Sequence, residues 1–191
     1  MKALLLACGT TVLASQQVTP VPAQPPGPQP SGSLLDAQDN QALLLGATTA
    51  KAVLAHRTVF RENEAKMRVA QSLKNRWKAI RTPMTLVAVF GSWCSDSQVY
   101  LPNLLTLENE ANPFIEVHFL GVNRDKRLAD TLWPAGCPPQ KVHRVPTFFL
   151  FATQPGGRLR LVGSVVEGPP RAGQTMAQAL VNLVEAAETA P

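Results

Sequence analysis

Cysteine is scarce in this chain: Cys8, Cys94 and Cys137 are the three among 191 residues. Three thiols are too few for a disulfide-built scaffold. Histidine is as rare (His56, His118 and His143), and the paired Cys/His spacings of a structural zinc site are absent, so no metal is expected. Aromatic residues make up 6% of the chain, and no basic motif interleaved with aromatics is present, so no nucleic-acid partner is expected. No apolar run reaches the ~18–20 residues that a spanning helix needs. No internal repeat is visible. Charged residues are few, at 16%, against 45% hydrophobic, which excludes a chain disordered throughout.

What remains has the length of one domain of ordinary size with extensions. The net charge of +5 is unevenly spread. Residues 51–81 hold nine Lys/Arg and two acids, a local +7, so the rest of the chain sums to −2. Such a segment is either a solvated helix face or a surface for anionic partners.

Met1-Lys2 is a short positive start, and Ala3 to Ala14 is an apolar stretch of the length of a signal core. Small residues suited to a signal peptidase end at Ala14 and at Ala23. Leu5-Leu6-Ala7-Cys8 also resembles a bacterial lipoprotein box, in which Cys8 carries the lipid, although only seven residues precede it. A buried first strand of a cytosolic domain is the competing reading. From Pro20 to Pro30, six of eleven residues are Pro, a composition that sustains neither helix nor central strand and reads as a semi-extended tether. The expected division is a signal peptide or lipoprotein signal over 1–23, a Pro-rich tether over 24–33, a helical extension over 34–82 and an α/β domain over 83–191.

Within the extension, Leu43-Leu44-Leu45, Val53-Leu54, Val59-Phe60 and Met67-Val69 recur at loosely helical intervals. Gly46 with Thr48-Thr49 divides them into two helices, a Thr capping the second. Thr85 to Phe90 is continuously apolar and β-branched, which predicts a strand buried on both faces. Gly91-Ser92-Trp93-Cys94 makes a turn, and Ser95 to Glu110 reads as a helix with Val99, Leu101, Leu104, Leu105 and Leu107 inward, kinked or restarted at Pro102. Ile115 to Val122 is the next strand, followed by a polar connection and a short helix through Leu132. Thr147 to Phe151 and Leu159 to Val166 form a hairpin around Pro155-Gly156-Gly157. Thr175 to Ala187 is a closing amphipathic helix. The hairpin strands must be antiparallel; the helix-linked first pair can be parallel.

Cys94 stands between a buried strand and the first turn of a helix. Unpaired N–H groups and the positive dipole end favour a thiolate there. Position alone leaves both a reactive thiol and a buried structural cysteine open.

Trp93-Cys94-Ser95-Asp96-Ser97 followed by Arg144-Val145-Pro146-Thr147-Phe148 resembles the two signature segments of the thioredoxin-like superfamily. The likeness covers about Pro83 to Ala187. It is nearest to bacterial thioredoxin-family proteins with a Trp-Cys-x-Asp-Ser/Cys site, which also tend to carry segments like Val122-Asn123-Arg124-Asp125-Lys126 and Val166-Glu167-Gly168-Pro169. The fold it implies is a central mixed four-stranded sheet flanked by helices. It also implies roles. Cys94 matches the attacking cysteine, Trp93 the aromatic at the site rim, and Pro146 the proline that follows a cis bond and faces the sulfur. The Val145 backbone would then pair with an extended substrate. Ser97 takes the place of the second, resolving cysteine. Its hydroxyl could hydrogen-bond the Cys94 thiolate but cannot form a disulfide. Ala88 stands where many thioredoxins have a buried acid. Asp96 is either a plain N-terminal acid for the helix or a like-charge opponent of the thiolate.

Cys137 is left as a thiol that packs, stays free, or resolves a Cys94 mixed disulfide. With His143 it makes at most a partial metal pair. The resemblance therefore implies a thiol-disulfide oxidoreductase or isomerase, and the amino-terminal signal makes it an exported protein of the periplasm or cell envelope, either soluble or lipid-anchored. It would act on protein or small-molecule thiols and disulfides, without a cofactor. The alternative is a redox-inactive thioredoxin-like binding module at the cell envelope.

Overall fold

The computed structural model describes residues 34–154 and 156–189. The expected signal, the Pro-rich tether, Cys8 and the hairpin-turn Pro155 lie outside the described residues. The apolar run after residue 83 does become a strand, Met84–Phe90, with every residue buried. Its side chains alternate between two cores. Met84, Leu86, Ala88 and Phe90 join a helical core, and Val87 and Val89 join a second cluster around Trp133, Cys137, Phe149 and Phe151.

In chain order the strands are β1 Gly46–Thr48, β2 Met84–Phe90, β3 Ile115–Gly121, β4 Thr147–Thr153 and β5 Leu159–Val166. The helices are α1 Ala50–His56, α2 Thr58–Lys66, α3 Gln71–Ala79, α4 Ser95–Glu108 and α5 Met176–Glu188. The sheet order is β1-β3-β2-β4-β5. β2 and β3 are parallel, and the other neighbouring pairs are antiparallel. The helical core draws on all five helices, for example Val53, Phe60, Trp77, Leu104 and Leu180. The opposite face carries the long connection between β3 and β4, which contributes Trp133, Cys137 and Val145.

The sheet thus has five strands, where four were expected. The fifth comes from the extension, which is not the pair of helices expected: no helix lies between residues 34 and 49, and three helices, α1 to α3, follow. Leu35 bridges Ala42, and Gly46–Thr48 pairs with β3. The close approach depends on Gly121, where an added Cβ would sit 2.0 Å from the Leu44 carbonyl oxygen. Thr49 caps α1 by accepting from the Ala52 N–H at 3.2 Å, as the Thr-rich break suggested. α5 opens with a capping box between Thr175 and Gln178. α3 ends without a glycine; Asn112 Nδ2 donates to the Trp77 and Ile80 carbonyls at 2.7 and 3.2 Å, satisfying acceptors that the helix end leaves open.

Two local expectations are corrected. Val99 is half exposed rather than inward; on α4 the buried stripe runs through Leu101, Leu104, Leu105 and Leu107. And α4 runs through Pro102 as one helix. Proline has no N–H for the carbonyl four residues earlier, but Asn63 Nδ2 of α2 donates to that carbonyl, Gln98 O, at 2.8 Å.

Four of the nine basic residues of the 51–81 segment form ion pairs within the fold. Lys74 and Lys78 pair with Glu110, Arg76 with Glu185, and Arg57 with Asp39. Glu188 accepts from the Arg81 N–H at 2.6 Å. Among the described residues no helix is long and apolar enough to cross a membrane.

The Asn63 bond yields a double-mutant test. Asn63→Ala should lower stability by about 1–2 kcal/mol, the cost of an unpaired, partly buried carbonyl. In a Pro102→Ala background the restored N–H takes Gln98 O, and the same change should then cost under about 0.5 kcal/mol. Urea unfolding midpoints read both. Equal losses in the two backgrounds would show that Asn63 does not serve the proline break.

Candidate functional site

β2 and β4 run antiparallel with Val89 opposite Thr147. The chain leaving β2 and the chain entering β4 therefore meet at one end of the sheet. There the Cys94 thiol lies 3.3 Å from the Val145 carbonyl oxygen, to which it can donate. The Val145–Pro146 peptide bond is cis. Cys94 is the N-cap of α4, in extended conformation and with no side-chain cap bond, so its sulfur stays available rather than tied to the helix end. It is partly exposed.

The turn that presents it is held from several sides. The Cys94 N–H donates to Gly91 O at 3.0 Å, and the Gln98 side chain donates to Ser92 O at 3.0 Å. Ser92 is fully buried, and its hydroxyl accepts from the Leu44 N–H at 3.2 Å. Trp93 folds back over Gly91, where a Cβ would lie 2.6 Å from the indole, and its Nε1–H donates to Val122 O at 3.0 Å. Glycine is needed at 91 for that contact.

Ser97 has a different duty from the one expected. It is fully buried, and its hydroxyl accepts from the Gly91 N–H at 3.2 Å. No hydrogen bond joins it to the Cys94 sulfur among the described residues. The hydroxyl at the second site position closes the turn. Asp96 is exposed on the first turn of α4. Ala88 is fully buried in the helical core, and no acid stands at that position.

Pro146 and Val145 belong to a braced segment. The Pro146 carbonyl accepts from the Glu167 N–H at 2.7 Å. Glu167 has a left-handed φ of 59°, and its carboxylate pairs with Arg144 at 2.7 Å. The Thr147 hydroxyl donates to Arg144 O at 2.7 Å.

Cys137 sits in the loop-side cluster with Val145, Trp133 and Phe149, and Cys94 packs at the edge of that cluster. Both thiols are free. Burial, with a smaller contribution from the charge of Glu116, pushes the Cys137 thiol up to about 11. A thiol so buried is a poor attacking group, since the thiolate is the nucleophile. Among the described residues no cluster of His, Cys, Asp or Glu could hold a metal ion.

Arg124 and Asp36 carry no role in the sequence reading. The Arg124 guanidinium lies 4.6 Å above the Trp93 ring, and its Nε–H donates to the buried Asp36 carboxylate at 2.8 Å. The Val122–Lys126 segment pointed to this stretch through resemblance alone. Nothing local marks Asp36, 88 positions away.

A family model described as thioredoxin matches residues 47–179, which begins well before the expected boundary at 83 and takes in β1 and the extension helices. Among solved structures the chain is similar to a protein of unknown function from Pseudomonas aeruginosa and to an HIV epitope scaffold. Each alignment shows 19% identity and a TM-score of 0.47, over 76% of this chain and 88% of the other. No match is found among the curated proteins.

The contrast between the two thiols is directly measurable. With its pKa near 11, Cys137 is ionised to about one part in ten thousand at pH 7. Iodoacetamide followed by peptide mass spectrometry should therefore modify Cys94 at least ~10 times faster than Cys137 in the native protein. The two rates should converge in denaturant. Equal native rates would overturn the assignment of Cys94 as the accessible thiol.

Proposed function

The chain belongs to the thioredoxin family, and from that premise we propose that it is an exported thiol-disulfide oxidoreductase or isomerase that uses Cys94 as its single attacking thiolate. The observation that carries the reading is the Cys94 sulfur at a helix start, partly exposed and 3.3 Å from the carbonyl beside the cis Val145–Pro146 bond.

The chemistry follows from one thiol. The Cys94 thiolate attacks one sulfur of a substrate disulfide. A Cys94–substrate S–S bond forms as the substrate S–S bond breaks, and the second substrate sulfur leaves as a thiolate that takes up a proton. The thiolate has no S–H to donate to Val145, so ionisation of Cys94 already frees that carbonyl to accept an N–H from an extended substrate segment. Another thiol of the same substrate, after losing its proton, then attacks the mixed disulfide. This forms a new substrate disulfide and regenerates the Cys94 thiolate. Such isomerisation transfers no net electrons. Net reduction instead uses two equivalents of a small external thiol. The first attacks the Cys94 sulfur and releases the substrate as a thiolate that takes up a proton. The second attacks the resulting mixed disulfide, leaving as a small-molecule disulfide and regenerating the Cys94 thiolate. Ser97 supplies no second sulfur, and the burial and raised pKa of Cys137 speak against it as the resolving thiol.

The second reading is a redox-inactive binding module that uses the same cleft. The buried Ser97 at the second site position favours it. Insulin reduction by dithiothreitol separates the two. Ser97→Cys places a thiol three residues after Cys94, and the high effective concentration of an intramolecular thiol should raise the rate by roughly tenfold. Cys94→Ser should abolish activity. If wild type, Ser97→Cys and Cys94→Ser are equally inert, the binding-module reading replaces the enzymatic one.

Export rests on Met1-Lys2, the apolar Ala3 to Ala14 and the Pro-rich stretch that follows. It places the protein at the cell envelope, either soluble or tethered through lipid on Cys8. Intact-mass measurement of the native protein should show loss of at least the first seven residues, with an added lipid mass if Cys8 is the anchor. An intact Met1 terminus in a cytosolic fraction would refute export.

A further inference from the structure

Asp36 is buried at the beginning of the described chain, and its side chain has no solvent exposure. Burying a carboxylate is costly unless it is paired and hydrogen-bonded. Its Oδ1 accepts from the Gln38 N–H at 2.9 Å and from Arg124 Nε at 2.8 Å. Arg124 in turn extends over Trp93, the residue before Cys94, with its guanidinium carbon 4.6 Å from the ring centroid. Lys126 lies 5.9 Å from the same ring. The indole, covered by these cations, is tied to Val122 O and packs on Gly91. A second link runs alongside, from the Leu44 N–H to the buried Ser92 hydroxyl. The segment before β1 thus meets the Gly91–Cys94 turn at consecutive residues, the Ser92 hydroxyl through the Leu44 N–H and the Trp93 ring through Arg124.

We propose that Arg124 is a positioning residue for the Trp93-Cys94 turn and that Asp36 holds it on the indole, so that the amino-terminal segment is a working part of the site. An arginine suits this place because its planar cation stacks on an aromatic face while its Nε–H still meets a carboxylate. Among the described residues the Asp36 carboxylate bonds to Gln38 and Arg124 and to neither Trp93 nor Cys94, so it acts through Arg124. The catalytic consequence rests on the proposed role of Cys94; the positioning itself does not.

The test uses the full-length chain. The indole N–H cross-peak of Trp93 is identified in a proton–nitrogen correlation spectrum by its disappearance in Trp93→Phe, which distinguishes it from Trp77 and Trp133. Asp36→Ala, the milder Asp36→Asn, and Arg124→Gln are then compared with wild type by the position and hydrogen exchange of that peak. They are also compared by the rate at which neutral iodoacetamide alkylates Cys94. The expected result is the same direction of peak shift in all three, faster indole exchange, and alkylation slowed by about three- to tenfold. The double variant Asp36→Ala/Arg124→Gln should be no slower than Arg124→Gln alone, because the acid works through the cation. Urea unfolding confirms that each variant is folded under assay conditions, and Asp36→Asn carries the test if Asp36→Ala is not.

Two results overturn the proposal. In one, the Asp36 variants lose stability yet keep the wild-type peak and Cys94 rate, which makes the ion pair an anchor only. In the other, the double variant shows the product of the two single losses, which makes the residues independent. Neither readout requires turnover, so absence of disulfide reduction would count against the oxidoreductase reading alone.

Discussion

The site depends on the antiparallel register that sets Val89 of β2 against Thr147 of β4. Cys94 and Val145 are 51 residues apart in sequence, yet this pairing brings the sulfur within 3.3 Å of the carbonyl. The register is strongly specified because both faces of β4 are buried. Phe148 enters the helical core and Phe149 the loop-side cluster. A slip by one residue would exchange them and misplace every apolar side chain along the strand. The packing that stabilises the sheet is therefore the packing that assembles the site.

The turn after β2 imposes a second constraint. The Gly91 N–H is buried at the close of a strand, and a buried donor without an acceptor costs about 1–3 kcal/mol. Ser97 supplies that acceptor. A sulfur is a weaker acceptor than a hydroxyl, so the residue that removes dithiol chemistry from the motif is also well suited to closing the turn. The absence of a second cysteine and the geometry of the turn thus have one origin in the same side chain.

Elements whose signals are local were legible in the sequence. The apolar run of β2, the hairpin of β4 and β5, and the capped amphipathic α5 all announce themselves within a few residues. The resemblance around Trp93-Cys94 and Val145-Pro146 singled out two segments that the fold brings together, for a similar reason, since each is a short contiguous motif. What escaped was long-range. β1 is three residues, Gly-Ala-Thr, and its pairing is decided by Gly121 seventy-five positions from Gly46. The Asn63–Gln98 and Asp36–Arg124 bonds span 35 and 88 positions, so no periodicity reveals them. Val99 was misplaced because α4 is apolar on much of its surface, and a helix of that kind does not declare which face is buried.

These long-range contacts decide what the domain is. A unit beginning at residue 83 would leave the outer edge of β3 unpaired where β1 now covers it, an invitation to pairing with other chains. It would also strip the helical core of Phe60, which packs edge-on against Phe90 at 6.2 Å, and of the fully buried Trp77. Removing one such aromatic from a core typically costs about 3–5 kcal/mol, a large share of the ~5–15 kcal/mol by which domains are stable. The Gln98 carbonyl opposite Pro102 would lose Asn63, and Ser92 would lose Leu44. The first of these bonds supports the helix that begins at Cys94, and the second supports the turn that presents it. The amino-terminal extension is thus not an appendage to a thioredoxin domain but the part that completes its sheet, its core and the backbone beneath the Cys94 sulfur.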